Sequence, residues 1–350
     1  MTGHSLPEFL TLAIEPLIAA KPAEPRDSSR LMVLDRKSGT ITHKAFRDLP
    51  EFLAPSDVLV LNRSRVWKAR LPTARPTGAK VDLLLMKPAE PGLKTWKALA
   101  RKVRPGEKLV CRGGVPAQCL RREPDGSFLF EFSAALDPVY LEKNAEVPLP
   151  WYILRARKKA GLSPATGEDE RGYQTIFAGE PGSIAAPTAG FHFTPGLLER
   201  LQANGVKAVY VTLHIGWGTF KPVRNGNPKR HVMLSEDCCV PGETAAVINA
   251  AKKNGSRIIA VGTSSMRALE TFAGEDGRVF PGAAKAELFI YPGYRFRAAD
   301  AFCTNLHVPS SAPLYMTAAF AGRELLFDAY TRAVENKYRF YSYGDAMLIL

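Results

Sequence analysis

Two textures of apolar and polar positions follow one another along this chain. In residues 63–150, short apolar segments (VDLLLMK, TWKALA, EKLVCR, AQCLRRE, SFLFEF) alternate with Pro, Gly and Asp-Gly turns, and long helical periodicity is missing. A small β-barrel or sandwich has that pattern. From residue 182 onward, buried-strand runs alternate with helical spacing, as a layered α/β domain requires. Ahead of the barrel, SRLMVLD and TITHKAF read as two strands joined by a turn at 37–39, and DVLVLN as a third. The expected fold is an α/β main domain, 1–62 and 151–350, with a small β-barrel domain inserted at 63–150. After the stiff VPLP at 147–150, residues 151–178 carry a basic cluster (Arg155, Arg157, Lys158, Lys159) with Gly, Pro and acidic residues, which predicts a mobile loop; its charge fits a docking site for phosphates as readily as a disordered, solvated segment.

Residues 182–223 organise the α/β part. Thr194 is placed to cap a helix, with Pro195 at its first position and Gly205 just past its end. Residues 206–215 then read as a buried strand. Farther on, a polar loop at 225–230 precedes a strand within 231–241. A helix at 243–254 is closed by Gly255, and RIIAV (257–261) is a buried strand. GTSSMRALETF opens a helix with Ser264 or Ser265 as its cap, and ELFIYPGYRF (287–296) reads as a strand ending in an aromatic turn. A last helix at 322–337 leaves YSYGDAMLIL as a tail.

This topology puts His192 just before a helix, and His214 and His307 at the carboxyl ends of strands. In open α/β sheets those are ligand-binding positions. Ala185, Ala186, Ala189 and Gly190 suit a backbone that approaches a ligand closely. Each histidine alone is as readily a satisfied structural residue. Arg26 and Asp27, in a loop before a strand, can reach a ligand or pair with each other.

Composition adds bounds. At 350 residues and 46% apolar content the chain can bury a proper core, and its net charge of +13 favours polyanionic partners. Arg101, Lys102, Arg104, Arg112, Arg121 and Arg122 make the barrel basic, as an RNA-contacting surface or as ordinary exterior charge. No uncharged apolar run is long enough to span a bilayer, and the N-terminal region is a poor signal peptide. The five cysteines show no CxxC or zinc spacing, which fits reduced thiols and a cytoplasmic protein.

The chemistry narrows by elimination. Three histidines can ligate a metal, but they have no carboxylate at a regular offset and HExxH is missing, so none is assigned. GxSxG, GxxxxGKS/T and GxGxxG are absent too. Acid–base work by histidine or ligand orientation remains. The start of the helix capped by Ser264 or Ser265, with Arg267 in its first turn, would attract an anion or carboxylate.

The motifs AAPTAGFHFT, TLHIGWGTFKPV, VGTSSMRALE, LFIYPGYRF, TNLHVP and YGDAMLI, with EPRDSSRLMVLDR and YQTIFA, resemble the S-adenosylmethionine:tRNA ribosyltransferase-isomerases of queuosine biosynthesis, from about residue 25 to 349. The resemblance implies transfer and rearrangement of the ribosyl group of S-adenosylmethionine onto 7-aminomethyl-7-deazaguanine at the tRNA wobble position. Epoxyqueuosine-tRNA forms, and adenine and methionine leave. S-adenosylmethionine is then a consumed substrate, with no cofactor or metal, and the partners are tRNA and S-adenosylmethionine, with no membrane and a monomeric chain. The implied catalytic residues are His192, His214 and His307, with His192 or His214 as base or acid. The implied substrate-binding residues are Arg26, Asn62, Arg65, Gln174, Thr188, Thr263, Ser264, Arg267, Glu236 and Asp345.

The chain departs from the family pattern at three places in particular. Arg63 stands for the usual Asp in the NRSRV turn, Leu234 for a His, and Ser310, Ser311 and Ala312 for Lys-Ser-Thr. A guanidinium for a carboxylate reverses the local charge near a sulfonium site. The alternative these departures raise is a paralogue that binds tRNA or another nucleic acid or nucleoside without this catalysis.

Overall fold

The structure, a computed structural model, describes residues 6–220, 223, 228, 231 and 233–350. Most of the loop expected at 225–230 lies outside them. Packing divides the chain into two units: Met1–Arg65, Trp151–Pro164 and Arg171–Leu350 form one, and Val66–Pro150 with Ala165–Glu170 the other. The partition expected from sequence differs slightly, with its boundary at 62/63 and with 165–170 in the main domain.

The smaller unit is a closed barrel of six antiparallel strands in the order Phe128–Phe132, Thr95–Leu99, Lys80–Pro88, Arg70–Ala74, Lys108–Cys111, Pro116–Arg122. Alternate residues point inward. Leu71, Leu83, Leu85, Trp96, Ala98, Leu109 and Phe130 fill the interior, so closure removes the unpaired edges an open sheet of this size would expose.

In the larger unit, nine strands among the described residues form one mixed sheet. Its centre is four parallel strands, Lys207–Leu213, Val58–Asn62, Ile258–Val261 and Ala301–Asn305. Ala346–Ile349 continues the sheet antiparallel to Ala301–Asn305, followed by Arg30–Leu34 and then Ile41–Ala45 at that edge. Glu236–Val240 and Gly282–Ala286 close the other side, both antiparallel. The central strands are apolar at nearly every position because both faces are covered. Leu31, Val33, Leu59, Leu61 and Ile259 pack under Phe193, Leu197 and Leu201 on one face. Met32, Leu34, Val58, Val60 and Ile258 pack under Ile248, Met266, Leu269, Leu314 and Leu326 on the other.

The helix Pro195–Ala203 starts as its cap residues require: Thr194 Oγ1 accepts the Leu197 amide at 3.2 Å, and Gly205 takes φ +82° just beyond the end. The turn at 37–39 and the helices Gly242–Lys253 and Arg323–Glu335 also form where expected.

Other segments differ. Residues 151–159, expected as loop, are the helix Trp151–Lys159; it buries Tyr152, Ile153 and the guanidinium of Arg157, which donates to the Ala20 and Pro164 carbonyls at 3.2 and 3.3 Å. A second helix, Ala312–Ala321, has no counterpart in the sequence reading. The expected tail contains Ala346–Ile349, a fully buried strand inside the sheet. The strand expected at 287–296 does not form; Gly282–Ala286 pairs instead, and the apolar residues after it pack on the helix side of the core. Neither Ser264 nor Ser265 caps the helix Thr263–Thr271: its N-cap is Gly262, at φ +86° and without a side-chain bond.

Candidate active site

The four parallel strands end along one edge, and the 3-10 turn Thr188–His192 crosses above it. Between them lies a cavity of about 380 Å³. Thr263, Ser264, Thr304, Asn305 and His307, which follow or end two of the strands, form one wall. Ala185, Ala186, Thr188 and Ala189 face them, and Trp151, Tyr152, Tyr173 and Tyr341 complete the lining with an aromatic side. None of the described lining residues carries a carboxylate, an ammonium or a guanidinium. Polarity in the cavity therefore comes from hydroxyls, an amide, an imidazole and backbone groups.

The small residues expected to admit a ligand are tightly packed from behind. A Cβ on Gly190 would meet Phe177 and Thr175 at 2.7 Å, so only glycine fits there. Gly262 turns the chain from strand to helix, its amide donating to the Cys303 carbonyl at 2.8 Å. The uncapped helix start at Thr263 faces the cavity. Orphan N–H groups at such a terminus favour an anion. Ser264 adds a buried hydroxyl with no hydrogen-bond partner in this wall.

The three histidines reach the same edge but are not gathered around one point. His307 is in the cavity wall, with Nε2 2.7 Å from Thr304 Oγ1. The residue is part-exposed, yet the surrounding protein pushes its pKa down to about 3 by burial. His192 lies behind the wall, buried, with Nδ1 2.7 Å from Ser29 Oγ and Nε2 3.2 Å from Asn305 Nδ2. It stacks on Phe46 at 4.9 Å. Burial lowers its pKa to about 4, with Asp345 pulling weakly the other way. Asn305, a cavity residue, therefore links His192 to Thr188, whose hydroxyl donates to Asn305 Oδ1 at 2.9 Å. His214 is half-buried with Nδ1 2.7 Å from Ser64 Oγ, and Ser64 Oγ is 2.6 Å from Ser183 Oγ. Burial lowers its pKa too, opposed by Glu180 and Asp237. All three imidazoles are thus held towards the neutral form. Among the described residues no three His, Cys, Asp or Glu side chains come together as a metal site would need.

The remaining expected residues divide into those at the cavity and those used elsewhere. Thr188, Thr263 and Ser264 line it. Arg267 is buried in an ion pair with Glu236 and donates to the Ala286 carbonyl at 2.9 Å. Glu236 also accepts the Gly216 amide at 2.7 Å. The Asn62 amide binds the Leu213 backbone and the Ser64 amide, so it is spent on the fold. The Asp345 carboxylate is buried between Arg30 and Arg339 at 3.2 and 3.0 Å. Arg26 donates to the Gln174 and Arg171 carbonyls at 2.6 and 2.7 Å, while Asp27 accepts Thr194 Oγ1 at 3.0 Å, so those two do not pair. The Arg65 side chain is exposed and away from the cavity lining.

The departures have local explanations. Arg63 meets Glu180 at 3.0 Å, away from the cavity lining, so its charge is answered within this chain. Leu234 packs so closely on the Gly218 backbone that a Cβ there would lie 3.0 Å from it. Ser311 caps the helix Ala312–Ala321, its side chain accepting the Leu314 amide, and Pro313 lies in the first turn.

Sequence reasoning missed the aromatic side of the cavity and the pivot at Asn305. Tyr341 and Asn305 do fall inside the motifs YSYGDAMLIL and TNLHVP, which was the signal that could have found them. Trp151 and Tyr152 were hidden by reading their helix as a loop.

Comparison with known proteins is consistent along the whole chain. A family model described as "Queuosine biosynthesis protein" matches residues 11–349. An S-adenosylmethionine:tRNA ribosyltransferase-isomerase of Pelobacter propionicus is 47% identical, with 96% of each chain covered. One from Thermus thermophilus is 48% identical over 95% of this chain and 96% of its own. The crystal structure of an S-adenosylmethionine tRNA ribosyltransferase from Thermotoga maritima matches with a TM-score of 0.53 and 36% identity, covering 97% of this chain and 98% of that one.

Proposed function

This chain belongs to the queuosine biosynthesis protein family and is an enzyme of the transferase-isomerase type, and from that premise we propose that it moves the ribosyl group of S-adenosylmethionine onto 7-aminomethyl-7-deazaguanine at the wobble position of tRNA. The transferred group is rearranged to the epoxycyclopentanediol of epoxyqueuosine, and adenine and methionine leave. S-adenosylmethionine is consumed as a substrate, without a further cofactor. The proposed setting is a cytoplasmic monomer; among the described residues, no helix is long and apolar enough to cross a membrane.

The observation that carries the reading is the cavity at the carboxyl edge, with its uncapped helix start and unpartnered Ser264 hydroxyl. The methionine carboxylate is assigned to that helix terminus, where orphan N–H groups and the helix dipole favour an anion. Aromatic faces attract cations, so the side built from Trp151, Tyr152, Tyr173 and Tyr341 suits a sulfonium in a cavity without carboxylates.

Abstraction of the proton beside the sulfonium requires a neutral base, and burial keeps His192, His214 and His307 neutral at pH 7. Of the three, His307 borders the cavity and is assigned direct contact with substrate. His192 acts through Asn305, and His214 through Ser64, as positioning residues. The mobile proton of the departing adenine is the second transfer the site must serve.

The test is incubation with S-adenosylmethionine and tRNA carrying the aminomethyl-deazaguanine, reading adenine release and the mass of the modified nucleoside together. Both products support the proposal. Binding of the tRNA with neither product assigns the chain to the non-catalytic alternative.

A further inference from the structure

The helix Trp151–Lys159 joins an aromatic side chain of the cavity to a row of outward cations that the proposed reaction leaves unused. Its first residue lines the cavity, yet Trp151 is 50% exposed, so a large indole stands where the cavity meets solvent. Its ring is held edge-on against Tyr152, at 5.7 Å and 76°. The other exposed positions of the helix, Arg155, Lys158 and Lys159, follow at i+4, i+7 and i+8. At 3.6 residues per turn those positions share one face with Trp151. Arg157 is turned inward instead, so the basic cluster seen in the sequence is sorted by the helix into one buried and three outward cations.

The outward charge is only partly answered. The single carboxylate of Glu15 meets both Arg155, at 2.8 Å, and Lys159, at 2.6 Å, while Lys158 has no acidic partner among the described residues. Exposed pairs of this kind are weak and exchangeable. A polyanion can therefore take their place at little cost.

We propose that this face of the helix Trp151–Lys159 is an RNA-docking surface. Trp151 stacks on an unpaired nucleobase presented at the cavity, and Arg155, Lys158 and Lys159 hold the phosphates beside it. The inference rests on the reading of tRNA as substrate and adds where on this chain it docks. An exposed indole next to a row of cations matches single-stranded RNA, whose bases offer π-faces and whose backbone offers regular charge. An acidic protein partner would use the cations and leave the indole idle.

Filter binding of an anticodon stem-loop RNA tests this without relying on turnover. Trp151→Ala should weaken binding about tenfold, and Trp151→Phe, which keeps a stacking face, should recover most of that loss. Replacing Arg155, Lys158 and Lys159 together by Ala should lower the slope of log K against log salt by about two, at about 0.7 for each phosphate no longer neutralised. Wild-type affinity and slope in these variants would overturn the proposal. Weakened binding in the triple variant alone, with Trp151→Ala binding as wild type, would overturn it as well, since the cations would then attract RNA without a base stacked on the indole. A wild-type chain that binds RNA through this face but releases no adenine would sink the reaction while leaving the docking surface in place.

Discussion

Gly182 lies against the ring of His214 so closely that a Cβ on it would sit 2.4 Å from Nδ1 and 2.6 Å from Cγ. Nδ1 is the atom that meets Ser64 Oγ at 2.7 Å. The missing side chain at 182 is therefore what allows this imidazole its place among Ser64 and Ser183.

It follows that Gly182→Ala must push the ring away and break the bond to Ser64. Overpacking of this sort costs about 1–3 kcal/mol. Denaturant melts should show that loss, and adenine release should fall with it. On a His214→Ala background the same substitution has no ring to meet, so its added cost should drop below about 0.5 kcal/mol. Equal costs in the two backgrounds would show that the ring is not what the methyl group strikes.

The depressed pKa of His192 makes folding sensitive to acid. Its value is about 4 in the folded chain against 6.5 for an unperturbed histidine. Between those values the unfolded chain takes up a proton that the folded chain does not, so stability falls as pH drops from 6.5 towards 4. One group shifted this far contributes about 3 kcal/mol over that window. His192→Gln should flatten the dependence, leaving the parts due to His214 and His307. Unfolding free energies at pH 7.5 and 5 check it, and an unchanged slope in the variant would remove His192 from the account.

How much of this was readable in advance depended on whether the signal was local. Thr194, Pro195 and Gly205 mark the ends of their helix because capping is decided within a few residues. The barrel was legible from the alternation of its short strands. The helix Trp151–Lys159 was not, because its inward face includes a guanidinium that folds in to meet the carbonyls of Pro164 and of Ala20, the latter far away in sequence. Ala312–Ala321 is apolar or small around nearly its whole circumference, and so shows no amphipathic period. Ala346–Ile349 owes its strand state to partners at 31–34 and 302–305, far away in sequence. At the site, family motifs gathered residues along one edge of the sheet without separating those that line the cavity from those bonded elsewhere. Asn62, Arg267 and Asp345 are committed to the fold, and nothing in the local spelling of the motifs separates them from Ser264.

Ser264 gives the sharpest separation of binding from stability. Its hydroxyl is buried without a partner, so Ser264→Ala removes no hydrogen bond from the unliganded chain. Thermal stability should stay within about 0.5 kcal/mol of wild type. If this hydroxyl meets the methionine carboxylate, a hydrogen bond to a charged group is lost on binding, which weakens S-adenosylmethionine on the order of tenfold or more. Calorimetric titration alongside a melt of the free protein reads both quantities. A variant that binds S-adenosylmethionine normally would place the carboxylate elsewhere.

The pair Glu236–Arg267 should behave in the opposite way, destabilising the chain before it touches chemistry. Both side chains are buried, and between them they hold the Gly216 amide, the Ala286 carbonyl and the helix whose first turn supplies Thr263 and Ser264 to the cavity. Glu236→Gln leaves the guanidinium buried without its counter-charge, which costs about 3–5 kcal/mol in comparable pairs. Adding Arg267→Met removes the stranded charge and replaces it with apolar volume, so the double variant should regain a large part of the loss. Its affinity for S-adenosylmethionine should still be reduced, because the helix start has lost the tie that sets its position. Denaturant melts of the single and double variants, read beside titrations with S-adenosylmethionine, decide the matter. A double variant no more stable than Glu236→Gln would mean that the stranded guanidinium is not what costs the single variant its stability.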